Sequence, residues 1–248
     1  SAASDVYKRQ ADGETYAGQY VALDADITLN GDWTPIHSFA GTFDGRGHTV
    51  SGMTIGSQSA PVDASDSPLG FFDILANDAQ VRNLHLTGVS IYGSAKGQWT
   101  RPFVGGIAGG SLSIGTDVRI DNCSVTGSTI SAASGTFAYA GGLAGRLDRE
   151  NVVTNCWTDI AVTAVSANSP ACAGGLVATI GGSSMIANAA ALGDVSVTGV
   201  SAEYNWCRAG GLLGSSAYLT HNCYASGNVS LQDSAETVSY THLRAHET

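Results

Sequence analysis

The segment GGLAGRLDRENVVTNCWT (residues 141–158) decides the fold, because it contains two short units that recur along the chain. The first unit is a Gly-Gly pair followed by an apolar residue, and its second Gly lies at positions 106, 142, 175 and 211. LGFF (residues 69–72), with Leu69 in place of the first Gly, is a diverged copy that places Gly70 one step earlier, so the steps are 33 to 36 residues. The second unit contains an Asn, which lies at positions 83, 122, 155, 188 and 222. A near-constant period of this length is typical of a solenoid, in which each repeat buries its apolar face only against its neighbours.

The pattern inside each repeat predicts β-strands. Short alternating runs are interrupted by Gly, Asn and Asp, whereas helical repeats need long stretches with 3.6-residue periodicity. Aligning the repeats predicts four inward columns in which similar residues stack about 4.8 Å apart. These columns are Val81, Ile120, Val153, Ile186 and Thr220; Leu84, Cys123, Cys156, Ala189 and Cys223; Leu86, Val125, Thr158, Ala191 and Ala225; and, on a strand that contains the Gly-Gly unit, Phe71, Ile107, Leu143, Leu176 and Leu212.

The fold class that follows is all-β: a single-stranded parallel β-helix of about six to seven coils. We expect it to be right-handed, because parallel β connections almost always are. The Asn column is predicted at a turn, where each side chain can bond the local backbone and its neighbour in the next coil. VSGMTI (residues 50–55) fits the same template, with Gly52 in the Asn position.

Composition excludes several classes of protein. Charged residues make up 13% of the 248 residues, about half the usual share, and there are 32 Gly. A coiled coil, a basic nucleic-acid binder and a charge-rich disordered chain are therefore disfavoured. The formal charge of −10 predicts repulsion from nucleic acids and anionic membranes. No apolar run reaches the roughly 18 to 20 residues of a membrane-spanning helix, so no membrane insertion is expected.

The two ends lack the repeat pattern. Residues 1–10 (SAASDVYKRQ) and 238–248 (VSYTHLRAHET) both resemble translated read-through of sequencing adapters, as found at the ends of metagenomic gene fragments. We therefore predict artefactual tails at 1–10 and 238–248, flanking a β-helix repeat domain at 11–237 that is a fragment of a larger protein. A signal peptide and a surface anchor would then lie outside the fragment.

The segment WTPIHSFAGTFDGRGHTVSGMTI (residues 33–55), followed by the repeated GGLAG and I-x-N-C units, resembles the GLUG-motif repeats of bacterial surface and secreted proteins. The resemblance runs from about residue 20 to residue 231. It implies an adhesin-like protein, since such repeats occur in adhesin-like proteins. They also lie beside the catalytic part of immunoglobulin-A-cleaving metallopeptidases. The resemblance identifies an architecture and implies no activity for the repeats themselves.

An enzymatic alternative remains open, because β-helices also host polysaccharide lyases and glycoside hydrolases. Hydrolysis of a sugar needs two carboxyl groups about 5 to 9.5 Å apart. If a short gap is allowed, Asp159 and Asp194 align in successive coils of one column, followed by Asn228. These three residues are candidates for an acidic pair or a weak Ca²⁺ site; solvated turn residues are the other interpretation.

Trp157 and Tyr224 share a predicted outward column, two coils apart, and could stack on sugar rings; the alternative is that they cover a loop. The His residues at 37, 48, 85 and 221 fall in different registers and predict no metal site, and no His-Glu-x-x-His string occurs. Five Cys is an odd number, which argues against a disulfide framework, and we expect free thiols in the core.

Taken together, the residues predict a non-catalytic β-helical stalk or adhesion module of a bacterial cell-surface or secreted protein. Its expected partners are host or environmental glycans or surface proteins, and no cofactor is required. The competing function is a carbohydrate-active enzyme that uses Asp159 and Asp194.

Overall fold

The computed structural model describes residues 14–97, 100–112, 117–201, 206–215, 219–234 and 237–240 of the chain. Within these residues the regular structure consists of β-strands without a helix. The predicted all-β class is therefore confirmed.

The strands are numbered in chain order. The first nine are β1 (Tyr20–Ala22), β2 (Ile27–Thr28), β3 (Thr42–Asp44), β4 (Thr49–Ser51), β5 (Thr54–Ile55), β6 (Val62–Asp63), β7 (Phe72–Ala76), β8 (Gln80–Arg82) and β9 (His85–Ala95). The next nine are β10 (Phe103–Gly105), β11 (Ala108–Leu112), β12 (Arg119–Asp121), β13 (Ser124–Ser134), β14 (Ala138–Gly141), β15 (Ala144–Leu147), β16 (Val152–Thr154), β17 (Trp157–Ser166) and β18 (Ala171–Gly174). The last nine are β19 (Val177–Ile180), β20 (Met185–Ala187), β21 (Ala190–Ala191), β22 (Val195–Gly199), β23 (Arg208–Gly210), β24 (Leu219–His221), β25 (Tyr224–Ala225), β26 (Val229–Asp233) and β27 (Thr237–Tyr240).

The strands form four sheets, which the chain visits in the same order in each full turn. Sheet 1 has the strand order β1-β3-β8-β12-β16-β20-β24. Sheet 2 has the order β2-β4-β9-β13-β17-β22-β26-β27, and the short strands β5, β6, β21 and β25 pair beside this path. Sheet 3 has the order β10-β14-β18-β23, and sheet 4 has the order β7-β11-β15-β19. The result is a parallel β-solenoid of about five turns, in which sheet 1 stacks seven strands, and the predicted parallel β-helix is confirmed.

The strand registers confirm the predicted columns. Ile120 pairs with Val81 on one side and Val153 on the other, and Val125 pairs in the same way with Leu86 and Thr158. All six of these side chains are buried. Similar residues therefore stack at successive levels, as parallel in-register pairing requires.

The Asn column lies at the turn between sheets 1 and 2, as predicted. Each of its five residues has a left-handed backbone, with φ between 50° and 56°. Asn is one of the few residues besides Gly that adopts this conformation at low cost. The side chains also form hydrogen bonds along the axis. Nδ2 of Asn222 donates to Oδ1 of Asn188, and Nδ2 of Asn188 donates to Oδ1 of Asn155, both at 3.2 Å.

The Gly-Gly unit was predicted within a strand, and this detail is wrong. Its first Gly ends a strand of sheet 3, and the second Gly and the apolar residue form a sharp corner into sheet 4. A Cβ on Gly141 would overlap the carbonyl oxygen of Ala144, and a Cβ on Gly142 would overlap the carbonyl oxygen of Gly175. The two glycines are therefore required by the close approach of backbone at the corner.

The predicted repeat copy at residues 50–55 is also wrong. Val50 pairs with Leu86 rather than with Val81, and it is Phe43 that pairs with Val81. The copy at this level is therefore FDGRGHTV (residues 43–50), which is two residues longer than the corresponding part of later repeats. The extra residues form a turn in which Arg46 and Gly47 have positive φ.

The core changes in composition along the axis. The first turns are filled by aromatic rings, with Phe39 4.9 Å from Phe72 and Trp33 stacked 4.7 Å from Phe71. Later turns are filled by Ala, Val, Leu, Ile and Cys. The five cysteines are free thiols; four are buried and Cys223 is half-buried. Burial raises the pKa of the Cys172 thiol to about 12.

Of the predicted tails, residues 1–10 and 241–248 lie outside the described residues. Residues 237–240 form β27, which pairs antiparallel with β26, whereas the other strand pairs of the described chain are parallel. The domain boundaries at 11 and 237 stay predictions.

Candidate functional site

The outer face of sheet 2 carries a column of hydroxyl groups. Because side chains alternate along a strand, β9, β13, β17, β22 and β26 place apolar residues inward and mostly polar residues outward. Outward apolar residues include Ala133, Ala161 and Val165, and Ala133 and Val165 also line the groove described below. Ser131 pairs with Tyr92 and with Thr163, and the column continues through Ser196 to Ser230. This regular polar surface offers hydrogen-bond donors and acceptors at intervals of about 4.8 Å.

A groove of about 320 Å³ lies on this face. Its floor includes Tyr92, Thr129, Ser131 and Thr163, and its wall includes Gln58 and Pro61 from the segment that joins β5 to β7. It combines one aromatic ring with several hydroxyl groups, which is a suitable lining for a small polyhydroxylated ligand.

The wall of the groove is fixed by short-range hydrogen bonds. The N–H of Ser57 donates to the carbonyl of Ala60 at 3.0 Å, and the N–H of Ala60 donates back to the hydroxyl of Ser57 at 3.1 Å. Strand β6 then attaches the segment to the edge of β9. The groove could not be predicted from the repeats, because its wall belongs to none of them; the available signal was an insertion rich in Ser, Asp and Pro.

Trp157 and Tyr224 lie in one outward column of sheet 2, with Ala190 between them. Two strand spacings, about 9.6 Å, therefore separate their levels. The side chains are 40% and 49% exposed. The structure thus places both rings on the same face as the groove, with only a methyl side chain between them.

The structure does not bring Asp159 and Asp194 into one column. Trp157 pairs with Ala190 and Val162 with Val195, so the 33-residue register continues without the gap that the alignment needed. Asp159 is therefore level with Leu192, and Asp194 is level with Ala161. Asp194 is level with Asn228, whose N–H donates to its Oδ1 at 2.7 Å. Both carboxyl groups are exposed.

A second polar group, not identified from the sequence, surrounds the buried carboxyl group of Asp73. Oδ2 of Asp73 lies 2.5 Å from Nδ1 of His37 and accepts a hydrogen bond from the Ser67 hydroxyl at 3.1 Å; Oδ1 accepts one from the Ser38 N–H at 2.9 Å. In a hydrolytic triad the Ser would instead bond to the His. Here Asp73 joins three segments of the chain, which is a structural role.

The described part of the chain contains no group of three or more His, Cys, Asp or Glu side chains that could hold a metal ion. Across those same ranges, no helix is long and apolar enough to cross a membrane.

Comparison with known proteins agrees with the architecture. No protein-family model matches the chain. The chain is similar to a part of halomucin from Haloquadratum walsbyi, with 30% identity over 201 residues that cover 77% of the chain. This match spans only 2% of the length of halomucin.

A solved structure from Bacteroides ovatus, provisionally described as an immunoglobulin A1 protease, superposes with a TM-score of 0.61. The superposition covers 98% of this chain and 79% of the other, at 22% sequence identity. That level of identity shows a shared fold and nothing of the activity. The resemblance to GLUG-motif repeats stays a prediction.

Proposed function

We propose that the chain is a non-catalytic, stalk-like adhesion module of a surface or secreted protein, and that the outer face of sheet 2 binds glycans. The observation that carries this proposal is the groove beside Tyr92, on a face that also exposes Trp157 and Tyr224. The apolar face of a sugar ring packs against an aromatic ring, while its hydroxyl groups bond to Ser and Thr side chains.

Three further observations support a binding module within a long protein. The solenoid presents a flat, repeating surface on a rigid scaffold, which is how repeat proteins build extended binding faces. The match to a small part of halomucin is consistent with one module among many. The sequence resemblance to GLUG-motif repeats favours the surface of a bacterium or its surroundings, with the signal and anchor elsewhere in the parent protein.

The stacked acidic pair that would favour an enzyme is missing among the described residues, because Asp159 and Asp194 lie in different columns. We accordingly expect no release of reducing or unsaturated sugars from plant, algal and host polysaccharides. Turnover that disappears in Asp159→Asn and Asp194→Asn variants would overturn the proposal in favour of catalysis.

Binding is tested on an array of neutral oligosaccharides, followed by titration of the best one. We expect Tyr92→Ala and Trp157→Ala each to weaken binding about tenfold, since a lost stacking contact contributes on the order of 1.4 kcal/mol. Trp206→Ala is the matched control, because Trp206 is 62% exposed but precedes a strand of sheet 3. No binding by the wild type, or equal losses in the control, would contradict the proposal.

A further inference from the structure

A second group of aromatic and charged residues lies on sheet 3, away from the groove. Phe103 pairs with Tyr139, Tyr139 with Cys172, and Cys172 with Arg208, so these four residues occupy one column. The rings of Phe103 and Tyr139 lie 4.8 Å apart and are tilted by 32°. Both side chains are half-buried, so each keeps part of its ring accessible.

Sheet 4 reaches across the Gly-Gly corner to the same group. The guanidinium of Arg146, on β15, lies 5.4 Å from the centroid of the Phe103 ring. This approach is possible because Gly145 has no side chain: a Cβ there would be 2.6 Å from the backbone nitrogen of Val104. The corner between the two sheets is therefore a concave angle lined by aromatic rings and arginine.

Three arginines surround the ring pair. Arg146 is neutralised by Asp148, with 2.7 Å between Nη2 and Oδ1. The guanidinium of Arg101 lies 4.8 Å from the centroid of the Phe137 ring. Arg208 is the last residue of the column and pairs with Cys172. Within the described residues, neither Arg101 nor Arg208 forms an ion pair with a carboxylate.

The positive charges of the three arginines affect the hydroxyl group of Tyr139. Burial raises the pKa of its hydroxyl, and the positive charges of Arg101, Arg208 and Arg146 oppose this rise. This concentration of positive charge stands out in a chain with a formal charge of −10 and only eleven Lys and Arg.

We propose that this cluster, formed by Phe103, Tyr139, Arg101, Arg146 and Arg208, binds a sugar that carries a carboxylate, such as a uronic acid. The exposed parts of the rings would pack against the apolar face of the sugar. Arg101 and Arg208, which lie towards opposite ends of the column, would each bond to a carboxylate of a uronic-acid oligomer, since the planar guanidinium group matches a carboxylate in geometry.

The aromatic rings favour a sugar acid over an acidic peptide. A sugar ring offers an apolar face that can pack against an aromatic ring. The aromatic pair would make no specific contact with the Asp and Glu side chains of an acidic peptide. The site does not depend on the groove of sheet 2, so each proposal can fail alone.

The test is a titration of the full chain with galacturonic acid trimer, using galactose trimer as the neutral probe. We expect the acidic trimer to bind at least fivefold more tightly than the neutral one. Added salt should reduce this preference, because the arginines are exposed. Equal binding of the two trimers, or equally tight binding of an oligoglutamate peptide, would overturn the proposal.

Variants locate the site. Arg208→Ala and Arg101→Ala should each lower affinity for the acidic trimer at least fivefold without changing the melting temperature. Arg119→Ala is the matched control, because Arg119 is exposed on sheet 1 and paired with Asp117. If Tyr92→Ala abolishes binding of the acidic trimer and Arg208→Ala does not, the ligand occupies the groove and this inference is wrong. If neutral oligosaccharides fail to bind but the arginine variants behave as expected, only the proposed role of sheet 2 is lost.

Discussion

Nδ2 of Asn83 donates a hydrogen bond to Oδ1 of Asp44 at 2.9 Å, so the first Asn of the turn column bonds to a buried carboxylate. Asn122 continues the chain of amides by donating to Oδ1 of Asn83 at 2.8 Å. Asp44 also accepts hydrogen bonds from the Tyr20 hydroxyl and from Nε of Arg82, both at 2.9 Å. One carboxylate therefore connects three successive levels of sheet 1 near the start of the solenoid.

This arrangement predicts that acid destabilises the first turns. Burial alone would raise the pKa of Asp44, but hydrogen bonds from Asn83, the Arg46 N–H, Tyr20 and Arg82 lower it to about 2, from 3.8 for the free side chain. A lowered folded-state pKa gives stability that is complete above about 3.8 and is lost as the pH falls through about 2. Thermal melts between pH 2 and 6 should show this loss.

The Asp44→Asn variant should melt lower than the wild type at pH 6 and show a smaller change between pH 4 and 2. Asp24→Asn serves as the control, because the Asp24 side chain is 84% exposed and pairs only at the surface with Arg46. An Asp44→Asn variant with the full acid response of the wild type would show that other carboxyl groups are responsible.

The Gly-Gly corner predicts a large difference between two glycine substitutions. Gly142→Ala places a methyl group against the carbonyl oxygen of Gly175 and 3.1 Å from Cβ of Thr158. Overpacking of this kind costs about 1–3 kcal/mol, which lowers the melting temperature by about 2–4 °C for each kcal/mol. At Gly135 an added Cβ meets no atom within 4 Å, so Gly135→Ala should be neutral or slightly stabilising. Similar melting temperatures for the two variants would contradict the packing seen at the corner.

The Asn turns predict an order among substitutions at one position. Asn188 has a φ of 52° and bonds to its neighbours on both sides. Asn188→Gly keeps the backbone conformation and loses only the side-chain hydrogen bonds. Asn188→Ala loses the same bonds and adds about 1–2 kcal/mol of left-handed strain. Chemical denaturation should therefore rank the wild type above Asn188→Gly, and Asn188→Gly above Asn188→Ala; an equal or higher stability of the Ala variant would be inconsistent with the turn.

The thiols should differ in reactivity. Burial raises the pKa of Cys156 well above its usual range, with a further rise from a hydrogen bond to Cys123, and it raises the pKa of Cys172 to about 12. Because the thiolate is the reactive form, both should resist a disulfide reagent at pH 8 until the protein unfolds. Half-buried Cys223 should react first, and Cys223→Ser should remove that fast phase. Mass spectrometry of the unreduced protein should find no crosslinked pair.

The sequence predicted those parts of the molecule that repeat. Columns such as Val81, Ile120 and Val153 follow from a constant period, because parallel pairing places equivalent residues at successive levels. Where a repeat changes length, the alignment fails. The two extra residues before Val50 and the gap assumed between Asp159 and Asp194 both led to wrong registers.

The sites were harder to predict than the fold for a related reason. The groove depends on Gln58 and Pro61, which belong to an insertion with no counterpart in other repeats. The arginine cluster depends on the corner between sheets 3 and 4, which brings Arg146 over Phe103 although the two are 43 positions apart in the chain. The sequence period fixes neighbours along the axis but not the angle between neighbouring sheets.

The stacking of one turn on the next also sets how far such a protein can reach. Each turn of 33 to 36 residues adds one strand spacing, about 4.8 Å, so about seven residues are consumed for every ångström of height. An α-helix rises about 1.5 Å per residue, so it needs less than one residue for each ångström of height. A β-helical projection that extends far from a cell therefore requires a very long gene. Duplication of a single repeat, about 100 nucleotides, lengthens it by one step of about 4.8 Å without disturbing the others. The length of such a solenoid is thus an inherited quantity, set by the number of repeat copies in the gene.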